Sequence, residues 1–421
     1  MIARQFRCRK PAGPPRVNLS AELTAAALSD RALTRVIVLM ALAAFASGAS
    51  LRVSDPLLPQ VAQDFGSTLG AASSIVTAYA VPYGFTQIFS GVIGDRFGKC
   101  QAVAATCALS FLLVLLCAGA QSVPQLALAR FIAAPGAAII VPLGMAYVGD
   151  VVPYQRRQTV LARFLAGQMC GMIAGQVAGG IIGDHFGWRS VFLALAFVFA
   201  AAAVALATQF RGNRWTRAPH HDDIPREGFI SAYRKLLRVP WARYILLAVF
   251  LEAGIFFGGF TYVAADLHAR FGLSFSAVGT VVGAYGLGSV LYASSVHRLV
   301  NAFGERGLAI GGGAVVMVGF LMLAISPVWQ SAPAAVCLLG FGYYMVHNTL
   351  QTNATQMLPQ ARATAVAGFS AALFLGQSGG VALAAPVVDR AGAVPVFVAA
   401  AIMWAALAVW IRIRIGRREI F

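Results

Sequence analysis

Gly91-Val92-Ile93-Gly94-Asp95-Arg96-Phe97-Gly98-Lys99 lies where one apolar run, residues 72–93, gives way to the next, residues 101–120. Each run is about the 20 residues that a helix needs to cross the hydrocarbon of a bilayer. Three charges in so short a stretch are too costly to hold in lipid, so the chain must surface here and turn back. Gly91 and Gly98 suit close helix approach and a tight turn.

The same alternation runs through the chain. Further apolar runs cover 36–57, 125–148, 160–182, 190–208, 244–265, 276–296, 307–325, 333–353, 363–388 and 395–415, which makes twelve expected spans. Of the 421 residues 59% are hydrophobic and 11% charged, against about 25% charged in soluble domains. One core cannot hide that much apolar surface, whereas a bilayer solvates it. Cys107, Cys117, Cys170 and Cys337 sit inside apolar runs, Cys100 borders one and Cys8 lies in a basic tail. They read as small buried hydrophobes and not as a disulfide framework.

The net charge of +17 raises nucleic acid as a partner, but the distribution of the charge argues against it. Arginine and lysine gather in the N-terminal tail, in 96–99, 156–163, 209–243 and 298–306, at Arg362 and in 412–418. The other connectors carry only Arg52, Arg189, Arg270 and Arg390. By the positive-inside rule both tails and the central connector are expected in the cytoplasm. Residues 1–30 contain no uninterrupted apolar core and read as a tail, not a signal peptide.

The two halves repeat. Asp64-Phe65-Gly66 recurs as Arg270-Phe271-Gly272, Phe97-Gly98 as Phe303-Gly304, and Pro153 with Arg156 as Pro359 with Arg362, all at an offset of 206. Gly187 and Phe192 recur as Gly392 and Phe397 at an offset of 205. A constant offset at corresponding helix ends implies two six-helix bundles in parallel topology. The expected organisation is a tail (1–32), a bundle (33–208), a central loop (209–243), a second bundle (244–415) and a short tail (416–421).

The quoted stretch resembles the loop signature of the major facilitator superfamily, G-x-x-x-D-R-x-G-[RK]. The resemblance covers residues 36–414 and implies an all-α, twelve-helix transporter. It assigns Gly91, Asp95, Arg96, Gly98 and Lys99 to a gate, with Asp150 as acidic partner. Arg130, in Leu126-Ala-Leu-Ala-Arg130-Phe131, resembles the fourth-helix arginine linked to proton transfer. Gly171-x-x-x-Gly175-Gln176-x-x-Gly179-Gly180 resembles the antiporter signature, with Gln176 in place of its proline; small residues at that spacing also let helices pack closely. Tyr343 to Asn353 and Pro359-x-x-Arg362 are similar to the drug–proton antiporter and sugar-efflux branch. Asp55 matches an acidic position that precedes Leu-Pro in some exporters.

Few polar residues fall inside the spans. Arg52 and Asp55, at i and i+3, share a helix face and can pair. Glu252 lies inside the seventh span with no neutralising residue nearby in sequence. Tyr79, Tyr83 and Gln87 form one polar stripe, and Tyr344, His347, Asn348 and Gln351 another. Such stripes suit either a water-filled cavity or interhelical hydrogen bonds. The proton-carrying candidates are Glu252 and Asp55, with Arg130 tuning one of them. The cavity candidates are Arg52, Gln176 and the two stripes.

The expected function is proton-coupled efflux of small organic molecules by alternating access, through a monomer in the plasma membrane (the inner membrane of a bacterium). Its partners are the substrate, protons and the bilayer. Proton symport or facilitated uptake stays open, as does a receptor without turnover. No metal cluster, phosphate loop or nucleophile motif suggests an enzyme or a cofactor. Single-cysteine labelling in whole cells is expected to reach residues 64–70 and 187–189 only from outside and residues 209–243 only from the cytoplasm. Labelling of 209–243 from outside would reverse the topology.

Overall fold

The computed structural model describes residues 19–90, 93, 97–210, 216, 229–358 and 362–418, and among these the regular structure is helical throughout. The first span begins in α1 (Leu19–Arg52) and continues through a 3₁₀ turn (Asp55–Leu57) into α2 (Leu58–Asp64). Pro56 and Pro59 remove amide donors at the junction and break the helix there. α3 (Leu69–Gln87) and α4 (Lys99–Ala118) follow. α5 (Val123–Ala138) and α6 (Ile140–Val151) run on as one span that bends just past Pro135. α7 (Tyr154–Phe186) and α8 (Trp188–Ala207) complete a bundle whose core reaches from Val36 to Leu206.

The second bundle has its own core, from Leu236 to Ile415. α10 (Pro240–Phe260) and α11 (Val263–Phe271) form one span. α12 (Phe275–Ile325), α13 (Ala332–Gln356), α14 (Arg362–Ala391) and α15 (Val394–Arg418) follow. α12 is two spans joined at Gly304, whose φ of 61° and ψ of −179° suit glycine alone. Its halves flank one stretch of α13: the place of a Cβ on Gly288 lies 2.0 Å from the Cys337 carbonyl, and that of Gly312 lies 2.7 Å from the Gly342 carbonyl. A straight helix would carry Gly288 and Gly312 about 36 Å apart, so the chain reverses between them.

Among the described residues nine helical segments are long and apolar enough to span a bilayer. α12 counts twice, and the more polar α3 and α13 bring the crossings to twelve. The glycines with positive φ are Gly66, Gly98, Gly187, Gly272, Gly304 and Gly392. They are the three glycine pairs of the sequence repeat, so corresponding turns of both bundles have left-handed backbone.

The connector 209–243 is not all loop. It carries α9 (Phe229–Arg238), which buries Ala232 and Leu236 at i and i+4, and Leu236 belongs to the second core. The seventh span accordingly starts at Pro240, four residues before the expected 244. Helix approach is set by glycine. A Cβ on Gly171 would sit 2.0 Å from the Phe45 carbonyl oxygen, and one on Gly175 2.6 Å from that of Ala49. The signature glycines thus seat α7 on α1. Gly149 has open space instead. Gly171→Ala is expected to cost about 1–3 kcal/mol by overpacking and to lower the thermal midpoint in detergent, whereas Gly149→Ala leaves it unchanged or raised.

Candidate functional site between the bundles

The break in the first span sets up the polar centre. Arg130 of α5 is 1% exposed, and its Nη2 donates to the Ser50 carbonyl at 2.9 Å, in the last turn of α1 where carbonyls lack helical partners. Its guanidinium lies 3.7 Å from the centroid of the Tyr79 ring, and the Tyr79 hydroxyl donates to Ser50 Oγ at 2.8 Å. Cation–π contact and hydrogen bonds together hold the charge in place of water. One turn away, Ser47 Oγ donates to the Ala137 carbonyl at 2.8 Å and lies 3.0 Å from the Tyr83 hydroxyl. The Tyr83 ring meets Phe374 of the other bundle at 4.6 Å.

Arg52 and Asp55 do pair, but loosely. Arg52 Nη1 stands 3.7 Å from Asp55 Oδ2, outside hydrogen-bond range, and both residues are almost fully buried. The Arg52 guanidinium lies 4.0 Å from the centroid of Phe257 on α10, so this charge faces the second bundle. Gln176 of α7, 1% exposed, lies beside Asp55 with Nε2 unbonded.

The second bundle contributes the other acid. Glu252 of α10 is 0% exposed, and its Oε2 lies 3.1 Å from Nδ1 of His347 on α13. The sequence offered Glu252 no partner; the fold supplies one 95 residues away. His347 Nδ1 also lies 3.4 Å from the Tyr343 hydroxyl, and the two rings stack at 5.2 Å. Phe256, Tyr285 and Trp404 extend an aromatic wall from Tyr343.

Several buried polar atoms of this region have no hydrogen-bond partner: Arg52 Nε and Nη1, both Asp55 oxygens, Arg130 Nε, Gln176 Nε2, Glu252 Oε1 and Gln377 Oε1. Buried polar atoms are nearly always bonded, and one left unpaired costs about 1–3 kcal/mol. Their concentration between the bundles suits a place that admits water or a polar ligand.

The other expected positions disperse. Tyr344 stands against Tyr285, Asn348 Nδ2 donates to Tyr292 at 3.1 Å, Gln351 is exposed, and Gln87 is buried. Gly91, Asp95 and Arg96 lie outside the described residues. Gly98 N-caps α4, and Lys99 pairs with Asp150 of α6, a bond within one bundle. Sequence reasoning missed Ser47, Ser50, Phe257, Gln377 and Tyr343. Only Tyr343 had a local signal, the i, i+4 spacing to His347.

The sequence profile described as Major Facilitator Superfamily matches residues 40–381. The chain belongs to this superfamily. It is 25% identical to the MFS-type transporter YceJ of Bacillus subtilis over 81% of this chain and 86% of that one. It is 24% identical to a chloramphenicol resistance protein of Streptomyces lividans, over 69% of this chain and 72% of that one. In three dimensions it superposes on a bacterial homologue of the human lysosomal transporter Spinster with a TM-score of 0.73, at 16% identity, over 91% of this chain and 96% of that one. The protein is therefore a multi-pass membrane transporter with the major facilitator fold.

Arg130 anchors the first half of the centre, which gives a graded expectation. Tyr79→Phe removes one neutral hydrogen bond and should cost about 1 kcal/mol, while Arg130→Met loses charge-assisted ones and should cost about 2–3 kcal/mol. Thermal denaturation in detergent reads both. Equal midpoints for Arg130→Met and wild type would contradict the anchoring role.

Proposed function

We propose that this transporter exchanges protons for small organic molecules, exporting them by alternating access, with the Glu252–His347 pair as its proton site. The observation that carries this reading is a fully buried carboxylate bonded to an imidazole on another helix, with one carboxylate oxygen left unbonded. A neutral imidazole that donates Nδ1–H to an ionised Glu252 makes a pair of net charge −1. One more proton, on either partner, makes it neutral. An uncompensated charge costs several kcal/mol away from water. The demand for that second proton therefore differs between a state in which water reaches the pair and one in which the bundles exclude it. A proton affinity that depends on conformation, together with a substrate that favours the opposite state, is what exchange requires.

Asp55 is the second acid of the scheme. Arg52 stands 3.7 Å from it, a charge partner that Glu252 has only in His347, and Arg130 lies in the same bundle. The central aromatic wall and unbonded polar atoms supply a surface for a small molecule with apolar and polar parts. The relative named for chloramphenicol resistance supports an efflux reading of the substrate class. The arginine asymmetry supports cytoplasmic termini and a plasma-membrane location, and one chain contains both bundles, so a monomer suffices.

The test is transport in everted vesicles under an imposed pH gradient, with chloramphenicol in a compound panel. Glu252→Gln is expected to abolish uphill transport while preserving counterflow of labelled substrate, because the bundles can still rock. Asp55→Asn should impair uphill transport less completely. Wild-type uphill transport by Glu252→Gln would move coupling elsewhere. Gradient-driven transport in the opposite direction would replace export by symport.

A further inference from the structure

The two bundles are joined at one end by carboxylates that each cap a helix of the other bundle. Asp389, near the C-terminal end of α14, accepts from the Gly70 amide at 2.7 Å and from Thr68 Oγ1 at 2.8 Å, at the N-terminus of α3. Asp184, near the C-terminal end of α7, accepts from the Ser276 amide at 3.2 Å and from Ser276 Oγ at 2.6 Å, at the N-terminus of α12. These are one contact seen twice. Thr68 and Gly70 correspond to Ser274 and Ser276 at the repeat offset of 206, and Asp184 corresponds to Asp389 at 205. Thr68 and Ser274 are the N-caps of their helices, accepting from the Ala71 and Ala277 amides at 3.1 and 3.2 Å. Each helix start is thus served by its own cap and by an acid from across the interface.

We infer that Asp184 and Asp389 form a quasi-symmetric latch that holds this end of the transporter shut. The free amides of a helix start and its positive dipole end both favour a carboxylate, and bonds to an ionised acceptor are stronger than neutral ones. Gly70 fits the arrangement, since a Cβ there would lie 2.4 Å from Asp389 Oδ2. Near the latch the bundles also meet through the Tyr262 hydroxyl, which donates to Ser73 Oγ at 2.8 Å, and through Gln63 and His268, 3.2 Å apart. Rocking the bundles apart at this end breaks both carboxylate contacts together. Because the two acids lie on opposite bundles and cap opposite helices, each side of the opening is restrained by an equivalent contact. The latch follows from the two-bundle geometry and does not depend on what is transported or on proton coupling.

The test uses spin-label distances in the full chain, with its native cysteines replaced. Labels go on Gln121 and Gln330, exposed residues at this end of the first and second bundle. Asp184→Asn with Asp389→Asn should raise the ratio of the longer, open distance to the shorter, closed one by about tenfold, and each single variant should do so part-way. Asp64→Asn is the control. That acid, at the same end, bonds Trp188 and Arg189 of its own bundle at 2.9 and 2.8 Å, and its loss should leave the distances unchanged. If the double variant does not fold, the single variants carry the test. Distances that match the parent in the Asp184 and Asp389 variants, or that move equally in Asp64→Asn, would overturn the latch.

Discussion

A charge inside a bilayer has no water to turn to, so the protein must supply its partners or place it where water can enter. Arg52, Arg130, Asp55 and Glu252 are all almost fully buried, and each has an atom without a hydrogen-bond partner. They are distributed over both bundles and gathered where the bundles face one another, with Arg52 against Phe257 of the opposite bundle. This placement follows from cost. On the lipid face each charge would be disfavoured by several kcal/mol, whereas between the bundles it meets rings, hydroxyls and helix-end carbonyls.

The internal repeat supplies the moving parts. Two similar bundles, each with its own core, meet along an interface in which glycine sets the spacing. A Cβ on Gly180 would lie 2.5 Å from the Phe275 carbonyl, and one on Gly84 2.7 Å from Phe374. Such surfaces can part and close as rigid bodies because neither core has to be rebuilt. The left-handed glycines sit at corresponding turns of both halves, so the reversals that define each bundle are conserved within the chain itself. The contacts of Asp184 and Asp389 join the bundles at one end, and the buried acids lie at the centre, so both stand where such a motion would be felt.

The fold was legible because its signals are local: apolar runs of spanning length, arginines in alternate connectors, and turns repeated at a fixed offset. The helix in 229–238 was obscured by its short length and basic surface, although Ala232 and Leu236 have amphipathic spacing. Charged residues inside spans were legible one at a time, since each is an exception to the composition around it. Their pairings were not. Glu252 reaches His347 across 95 residues and Arg130 reaches Ser50 across 80, and those contacts depend on helix rotation that the sequence does not encode locally. The second polar stripe split for the same reason. Asn348 turns to α12 while His347 turns to α10, because one helix packs on several neighbours.

The proposed proton site is the Glu252–His347 pair. Difference infrared spectroscopy of the purified transporter, stepped between high and low pH, observes carboxylic acid carbonyls and carboxylate stretches directly. Proton uptake at the pair should change the Glu252 carboxyl bands, giving an acid carbonyl when the proton rests on Glu252 or shifted carboxylate stretches when it rests on His347; Glu252→Gln should eliminate that change and His347→Gln should shift its frequency and midpoint. A spectrum in which Glu252→Gln matches wild type across the same pH step would contradict it.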